Sequence, residues 1–248
     1  IFEKIKMSNK IKKTSLYEEH IKLNAKILPF AGYEMPINYS KGIQYEYDAV
    51  RNSSGVFDVS HMGQIIIKGE KALDFLQYMT INDINLMSNG DAQYNALCNK
   101  SGGIKDDIII YKLENQYILI VNASNSNKIY KWMNENNKFN CSIIYDEEKF
   151  SLIAIQGPKS REALNTILKE KNDLKFYKHK TVKIGKKKVL LSRTGYTGEL
   201  GFEILGAHKS IIKLWQDMIK IGVVPCGLAV RDVLRLEMKY CLYGNDIN

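Results

Sequence analysis

Asn99-Lys100-Ser101-Gly102-Gly103-Ile104-Lys105-Asp106-Asp107-Ile108-Ile109-Ile110-Tyr111 sets a glycine turn in front of two adjacent carboxylates and an apolar, β-branched run. The run reads as a strand over 107–113, which puts the carboxylates at its mouth. Side chains alternate across a strand, so Asp106 and Asp107 point to opposite faces, and only one shares the face of Ile108 and Ile110. A carboxylate placed there is either a solvated turn cap or a group held for electrostatic or proton-transfer work.

Around this strand the pattern alternates between short apolar runs and helical spacing. Strands are expected at 56–58, 64–68, 93–98, 117–122, 142–145, 151–156 and 201–205, with hairpins turning at Glu114-Asn115 and, over 181–192, at Gly185. Helices are expected at 43–52, at 70–79 and from a cap at Ser124 or Asn125 to about 136. Others follow over 158–169, opened by Pro158, over 208–221 and over 228–240. Strands and helices mingle and no Rossmann or Walker glycine pattern appears, so the class is α+β, with mixed and antiparallel sheets and packed helices. In the last helix Arg231, Arg235 and Lys239 form one stripe, which by spacing alone reads as a solvent face with Asp232 pairing Arg235.

The chain has 248 residues and 45% apolar content, enough to bury a sizeable core. Its longest apolar runs are strand-sized, far below the roughly 20 residues of a membrane span. Cys98, Cys141, Cys226 and Cys241 never form a C-x-x-C pair, and His20, His61, His179 and His208 are scattered, so neither a disulfide framework nor a metal site is signalled. The net charge of +9 favours acidic partners, but the excess lies in tracts such as 4–13 and 180–188, typical of a tail and a hairpin. No nucleic-acid module accompanies it, and neither nucleic acid nor membrane is expected as a partner. Residues 1–14 read as a basic tail, with Met7 the first plausible start. No secretion or transit signal is seen, and the expected location is the cytoplasm of a bacterium in preference to the mitochondrial matrix.

Several segments taken in order resemble the aminomethyltransferase family, the T-protein of the glycine cleavage system. They include Phe30-Ala31-Gly32-Tyr33-Glu34-Met35-Pro36, Gly55-Val56-Phe57-Asp58-Val59-Ser60-His61-Met62-Gly63 and the Ser101 to Asp107 turn. Ile155-Gln156-Gly157-Pro158, Thr194-Gly195-Tyr196-Thr197-Gly198-Glu199, Gly201-Phe202-Glu203-Ile204, Pro225-Cys226-Gly227-Leu228 and Leu242-Tyr243-Gly244-Asn245-Asp246 follow. The resemblance implies a folate-binding aminomethyltransferase fold over 15–248, in two α+β subdomains of about 56–145 and of 15–55 with 146–248. It also implies the activity: transfer of the one-carbon unit of the aminomethyl group on the lipoyl arm of H-protein to tetrahydrofolate, with release of ammonia.

The first aspartate of the turn, Asp106, is then implied as the catalytic group lying against the folate, with Asp107 as the outward member. Glu203 is implied as the pterin-recognising carboxylate, with Glu199 the tempting alternative, and Arg231 as a cation suited to a bound carboxylate or the electron-rich edge of the folate. Met62, Tyr94, Asn122, Tyr196 and Tyr240 fall at implied pocket-lining positions. Relatives continue beyond the Tyr-Gly-Asn-Asp segment into a barrel-like domain, whose absence here implies an exposed apolar patch. A related folate-dependent demethylase, the folate domain of a sarcosine-type oxidase, or a non-catalytic folate-binding accessory protein are the alternatives. The last carries a Lys-Gly-Cys-Tyr-x-Gly-Gln-Glu signature that this chain lacks.

Overall fold

A computed structural model describes residues 11–146 and 149–248; residues 1–10 of the expected tail, Met7 among them, lie outside the described residues. In chain order the elements are β1 (Lys12–Lys13), α1 (Tyr17–Lys22), β2 (Lys26–Phe30), β3 (Tyr33–Asn38), α2 (Gly42–Asn52), β4 (Gly55–Asp58), β5 (Gly63–Lys68) and α3 (Ala72–Met79). They continue with β6 (Ala92–Cys98), β7 (Ile104–Leu113), β8 (Gln116–Val121), α4 (Ser126–Glu135), β9 (Ser142–Tyr145), β10 (Phe150–Gln156) and α5 (Ser160–Leu168). The last are β11 (His179–Ile184), β12 (Lys187–Ser192), β13 (Gly201–Ala207), α6 (His208–Lys220), β14 (Val224–Cys226) and α7 (Leu228–Glu237).

Two sheets carry the architecture. A five-stranded sheet runs β6-β7-β8-β5-β9, and a six-stranded sheet runs β11-β12-β13-β10-β4-β14. One face of the first, through Ile65, Ile108, Ile110 and Leu119, packs on Phe75 and Leu76 of α3 and Ile129 and Met133 of α4. One face of the second, through Ile153, Leu191 and Ile204, packs on α5 and α6, where Trp215 and Leu214 are fully buried. The remaining faces meet each other through Ile118, Ile120, Phe57, Ala154 and Leu205, and α7 inserts Val230 and Leu234 into the same cluster. The layers are therefore helix, sheet, sheet, helix, and both faces of each sheet are covered. This explains why the strands read as continuous apolar runs rather than as alternating ones.

The glycine turn of the opening stretch is built by Asn99. Its side-chain oxygen accepts from the backbone N–H of Ser101 (2.8 Å) and Gly103 (3.0 Å), and Gly102 takes φ +88°, a conformation an L side chain resists. The strand resumes at Ile104, so the two aspartates stand inside β7 rather than at its mouth.

Other expectations also shift. Lys12 and Lys13 leave the tail to pair in parallel with Tyr33 and Glu34 of β3, held by Lys13 over the Tyr17 ring (3.7 Å) and an ion pair to Glu34 (3.6 Å). Strand 55–58, assigned to the 56–145 unit, pairs with β10 and β14 in the six-stranded sheet, because Val56 and Phe57 are apolar on both faces. Residues 123–125 form a short 3-10 turn and neither Ser124 nor Asn125 caps α4 with its side chain. The last helix stops at Glu237, where the chain reverses through Lys239 at φ +56°. Its outer side exposes Val233 and Leu236.

Candidate active site

Alternation along β7 sends the two aspartates to different layers. Asp106 shares the helix-side face of Ile108 and Ile110 and is fully buried. Its Oδ1 accepts from the side-chain amides of Asn122 (2.7 Å) and Asn125 (3.2 Å), and its Oδ2 from the Asn122 backbone N–H (3.1 Å). Burial pushes this carboxyl up to about 6, against those hydrogen bonds and with a further push from the charge of Asp107. Asp107 instead faces the inter-sheet layer. It accepts from the Tyr94 hydroxyl (2.9 Å) and from the Asn122 amide (2.7 Å), so one amide group bridges both carboxylates. Burial, then the Asp107 charge, raises the Tyr94 phenol above its ordinary value.

The facing wall is the six-stranded sheet. Glu203 on β13 pairs in register with Ala154 and so points into the same layer. The Thr194 hydroxyl donates to its Oε2, and Tyr111 reaches across from β7 to donate to the same oxygen (3.4 Å). The loop between Thr194 and Gly198 wraps Gln156, which is fully buried; a Cβ on Gly195 would stand 2.2 Å from its Oε1.

The third wall is α7. The Arg231 guanidinium lies 4.8 Å from the Tyr196 ring centre, and its Nη1 is buried with no partner. Burial lowers its pKa against the pull of Glu203 and Tyr196. His61, 5% exposed, leaves Nδ1 buried and unpartnered; burial and the nearby Arg231 charge press its pKa down to about 4 against Asp58, so the ring is neutral at pH 7. Its edge contacts are Phe30 (5.6 Å) and Tyr33 (6.4 Å) of the β2–β3 hairpin. Tyr196 stacks on Tyr240 at 5.7 Å and 22° and donates to the Cys241 carbonyl. Burial pushes the Tyr196 phenol to about 12, with Arg231 and Arg235 pulling down and Asp107 pushing up, which ties the walls into one electrostatic field.

Of the residues expected from sequence, Tyr94, Asn122, Glu203, Arg231, Tyr196 and Tyr240 thus converge, and Met62 packs half-buried against the inter-sheet cluster beside them. Asp106 does not open into this cleft. Both faces of its sheet are covered, and the inward face it shares with Ile108 is solid core, whereas Asp107 looks into the cleft. Glu199 is engaged elsewhere, by Arg51 (2.9 Å), which also pairs with Glu237. Of the stripe, Lys239 is exposed and follows α7, but Arg231 is half-buried and Arg235 only 5% exposed; the expected Asp232–Arg235 pair forms (2.8 Å), and Arg235 also holds Asp246 and the Tyr240 carbonyl (3.1 Å), pinning the segment that carries Tyr240. Sequence reasoning overlooked His61 as a residue of this site. His61 was legible as the lone titratable group in an apolar strand-to-strand segment. Among the described residues no cluster of three metal-ligating side chains occurs, and no helix is long and apolar enough to cross a membrane.

Residues 16–248 match the GCVT N-terminal domain family. The aminomethyltransferase of Staphylococcus epidermidis is 43% identical over 246 residues, spanning 98% of this chain and 68% of that protein. That of Halothermothrix orenii is 41% identical over 244 residues, 96% of this chain and 68% of that protein. The crystal structure of glycine cleavage system aminomethyltransferase T from Bartonella henselae superposes with a TM-score of 0.88 at 36% identity, over 96% of this chain and 65% of that one. A heterotetrameric sarcosine oxidase from Corynebacterium sp. U-96 shares the fold alone, with a TM-score of 0.55 at 10% identity over 91% of this chain and 97% of that chain. The chain spans about two thirds of the length of the curated relatives it matches. Domain match, overall identity and superposition agree, and the chain belongs to the aminomethyltransferase family, the T-proteins of the glycine cleavage system.

Proposed function

We propose that the cleft between the two sheets and α7 binds tetrahydrofolate and receives the aminomethyl group carried on the lipoyl arm of an H-protein. The observation that carries this reading is the convergence of a half-buried carboxylate, Asp107, a second carboxylate held by hydroxyls, Glu203, and a half-buried cation whose Nη1 is enclosed without a partner, Arg231. In the transfer the carbon–sulfur bond of the arm breaks and ammonia leaves. The carbon becomes bonded to both folate nitrogens, N5 and N10, and the two N–H protons displaced there end on the ammonia and the freed thiol. Positive charge develops on the carbon as its heteroatom departs. Asp107 is the group placed to stabilise that charge and to orient the two N–H groups, and in a partly desolvated cleft its effect is large. Glu203 can accept paired hydrogen bonds from an amino-pyrimidine edge, and Arg231 offers a fixed charge to an electron-rich edge. Asp106 works from behind: through Asn122 it fixes the amide that orients Asp107.

The test is ammonia release from aminomethyl-loaded H-protein, with and without tetrahydrofolate. Asp107→Asn is expected to lower folate-dependent turnover by about a hundredfold or more, while Asp106→Asn keeps a substantial part of it. Loss confined to the Asp106 variant would reverse the assignment, and release indifferent to folate would remove the reading altogether.

A further inference from the structure

A concavity of about 490 Å³ lies outside the cleft, where the end of α5, the turn of the β11–β12 hairpin and one flank of α6 meet. The hairpin places it far from the candidate site: Gly185 is at the turn, whereas Ser192 and Thr194, which bear on Glu203, are at the other end. Lys169, Lys183, Lys187, Lys209 and Lys213 line it. The sole carboxylate in the lining, Asp217, is taken by Lys213, and the other four lysines make no ion pair among the described residues. Lys209, Lys213 and Asp217 recur every four residues, so the groove runs along one flank of α6. The floor is aliphatic, formed by Ile167, Leu168 and Ile184.

Size and chemistry narrow the ligand. The volume is that of a small-molecule site. Planar carboxylates are matched by the arginine fork, whereas a set of lysines alone, acting as point charges, suits phosphate oxygens approached from several sides. No aromatic side chain lines the groove to stack successive bases, which argues against a single-stranded nucleic acid. We propose that this groove is a binding site for a nucleotide-sized organic polyphosphate, with the phosphates on the lysines and the organic part on the aliphatic floor.

The test is calorimetric titration of the full chain with ATP as the probe, at physiological salt. One saturable site is expected. The triple variant Lys183→Gln, Lys187→Gln, Lys209→Gln should weaken it by roughly tenfold or more. A control triple that removes the same charge elsewhere, Lys26→Gln, Lys71→Gln, Lys131→Gln, should leave it within about twofold. Circular dichroism melts establish that both triples fold, since all six side chains are exposed. Absence of saturable binding, or equal weakening in both triples, would overturn the site. Tripolyphosphate bound as tightly as ATP would overturn the role given to the floor, and a DNA duplex bound in preference to ATP would overturn the ligand class.

Discussion

Replacing Asp106 by Asn tests whether the inward aspartate is a buried structural carboxylate. With its side chain inaccessible, Asp106 is held at about 6 in the folded protein, chiefly by burial, against about 3.9 in the unfolded chain. The folded state therefore binds this proton more tightly than the unfolded state. By linkage the stabilisation is complete below about pH 4 and is lost as pH rises through about 6. The difference corresponds to about 3 kcal/mol of unfolding free energy. In Asp106→Asn the titration is gone. Its new NH₂ group either confronts the Asn122 backbone N–H or displaces the Asn122 and Asn125 amides, a clash of about 1–3 kcal/mol that does not depend on pH. Urea unfolding of both proteins across the range separates the two effects. Relative to wild type, the variant should gain about 3 kcal/mol between pH 3 and pH 8, with the static cost cancelling in the comparison. A wild-type-minus-variant difference that stays flat with pH would refute the reasoning, because it would mean that Asp106 ionises as freely in the fold as in the open chain.

Three other expectations follow from particular contacts. Gly227→Ala would place a Cβ 2.2 Å from the Ile37 carbonyl oxygen and 2.6 Å from the Asn38 nitrogen, both backbone, and should cost about 3 kcal/mol or more by urea midpoint. Asp58 is fully buried and accepts from Thr14 (2.7 Å), the His20 ring (3.0 Å) and the Ser60 N–H (2.9 Å). Burial raises its pKa but these bonds and the His20 charge carry it below the ordinary value, so its stabilisation is present above about pH 4 and lost as pH falls through the folded value. Asp58→Ala should cost about 3–5 kcal/mol at pH 7, read by thermal or urea unfolding, and should flatten the acid limb of the stability curve. Arg231→Gln should raise the KM for tetrahydrofolate by roughly tenfold while lowering kcat less, read by steady-state ammonia release, and should leave the melting temperature unchanged or higher because the cation it removes lacks a hydrogen-bonded partner at Nη1.

Much of this arrangement was legible in the chain. The Gly102-Gly103 turn, the Ile-rich strand after it, the hairpin at Glu114-Asn115 and the amphipathic α6 all follow from local chemistry, because turn residues and apolar spacing act over a few neighbours. The β2–β3 hairpin was not legible: Lys26 to Phe30 is largely exposed although apolar on both faces, so no alternation marks it as a half-buried strand, and its pairing depends on β3, where Met35 pairs with Leu28 and is buried. The misassigned strand 55–58 has the same origin, since its partners β10 and β14 lie about a hundred and about 170 residues away in sequence, beyond any local pattern. For the aspartate pair, alternation correctly separated Asp106 from Asp107. Choosing between the faces required knowing that both are covered and that the cleft opens on the sheet-to-sheet side, which β7 alone does not encode.

The buried charges show what distinguishes the cleft from the rest of the interior. Asp58 has three donors, Asp106 three, and Glu46 two backbone N–H groups, from Tyr39 (2.6 Å) and Gly227 (2.8 Å). The fold is thus able to satisfy charged groups where it encloses them. Arg231 departs from that rule: the residue is half-buried, yet among the described residues its Nη1 is the one arginine or lysine nitrogen enclosed without a partner, beside His61, whose Nδ1 is also unpartnered. Its natural counter-ion, Glu203, is occupied by Thr194 and Tyr111 instead. A buried donor left this way costs about 1–3 kcal/mol, and a ligand that brings an acceptor to Nη1 recovers that amount on binding. The same unsatisfied donor that weakens the empty fold therefore adds to affinity, which is why Arg231→Gln is expected to separate binding from stability rather than lower both.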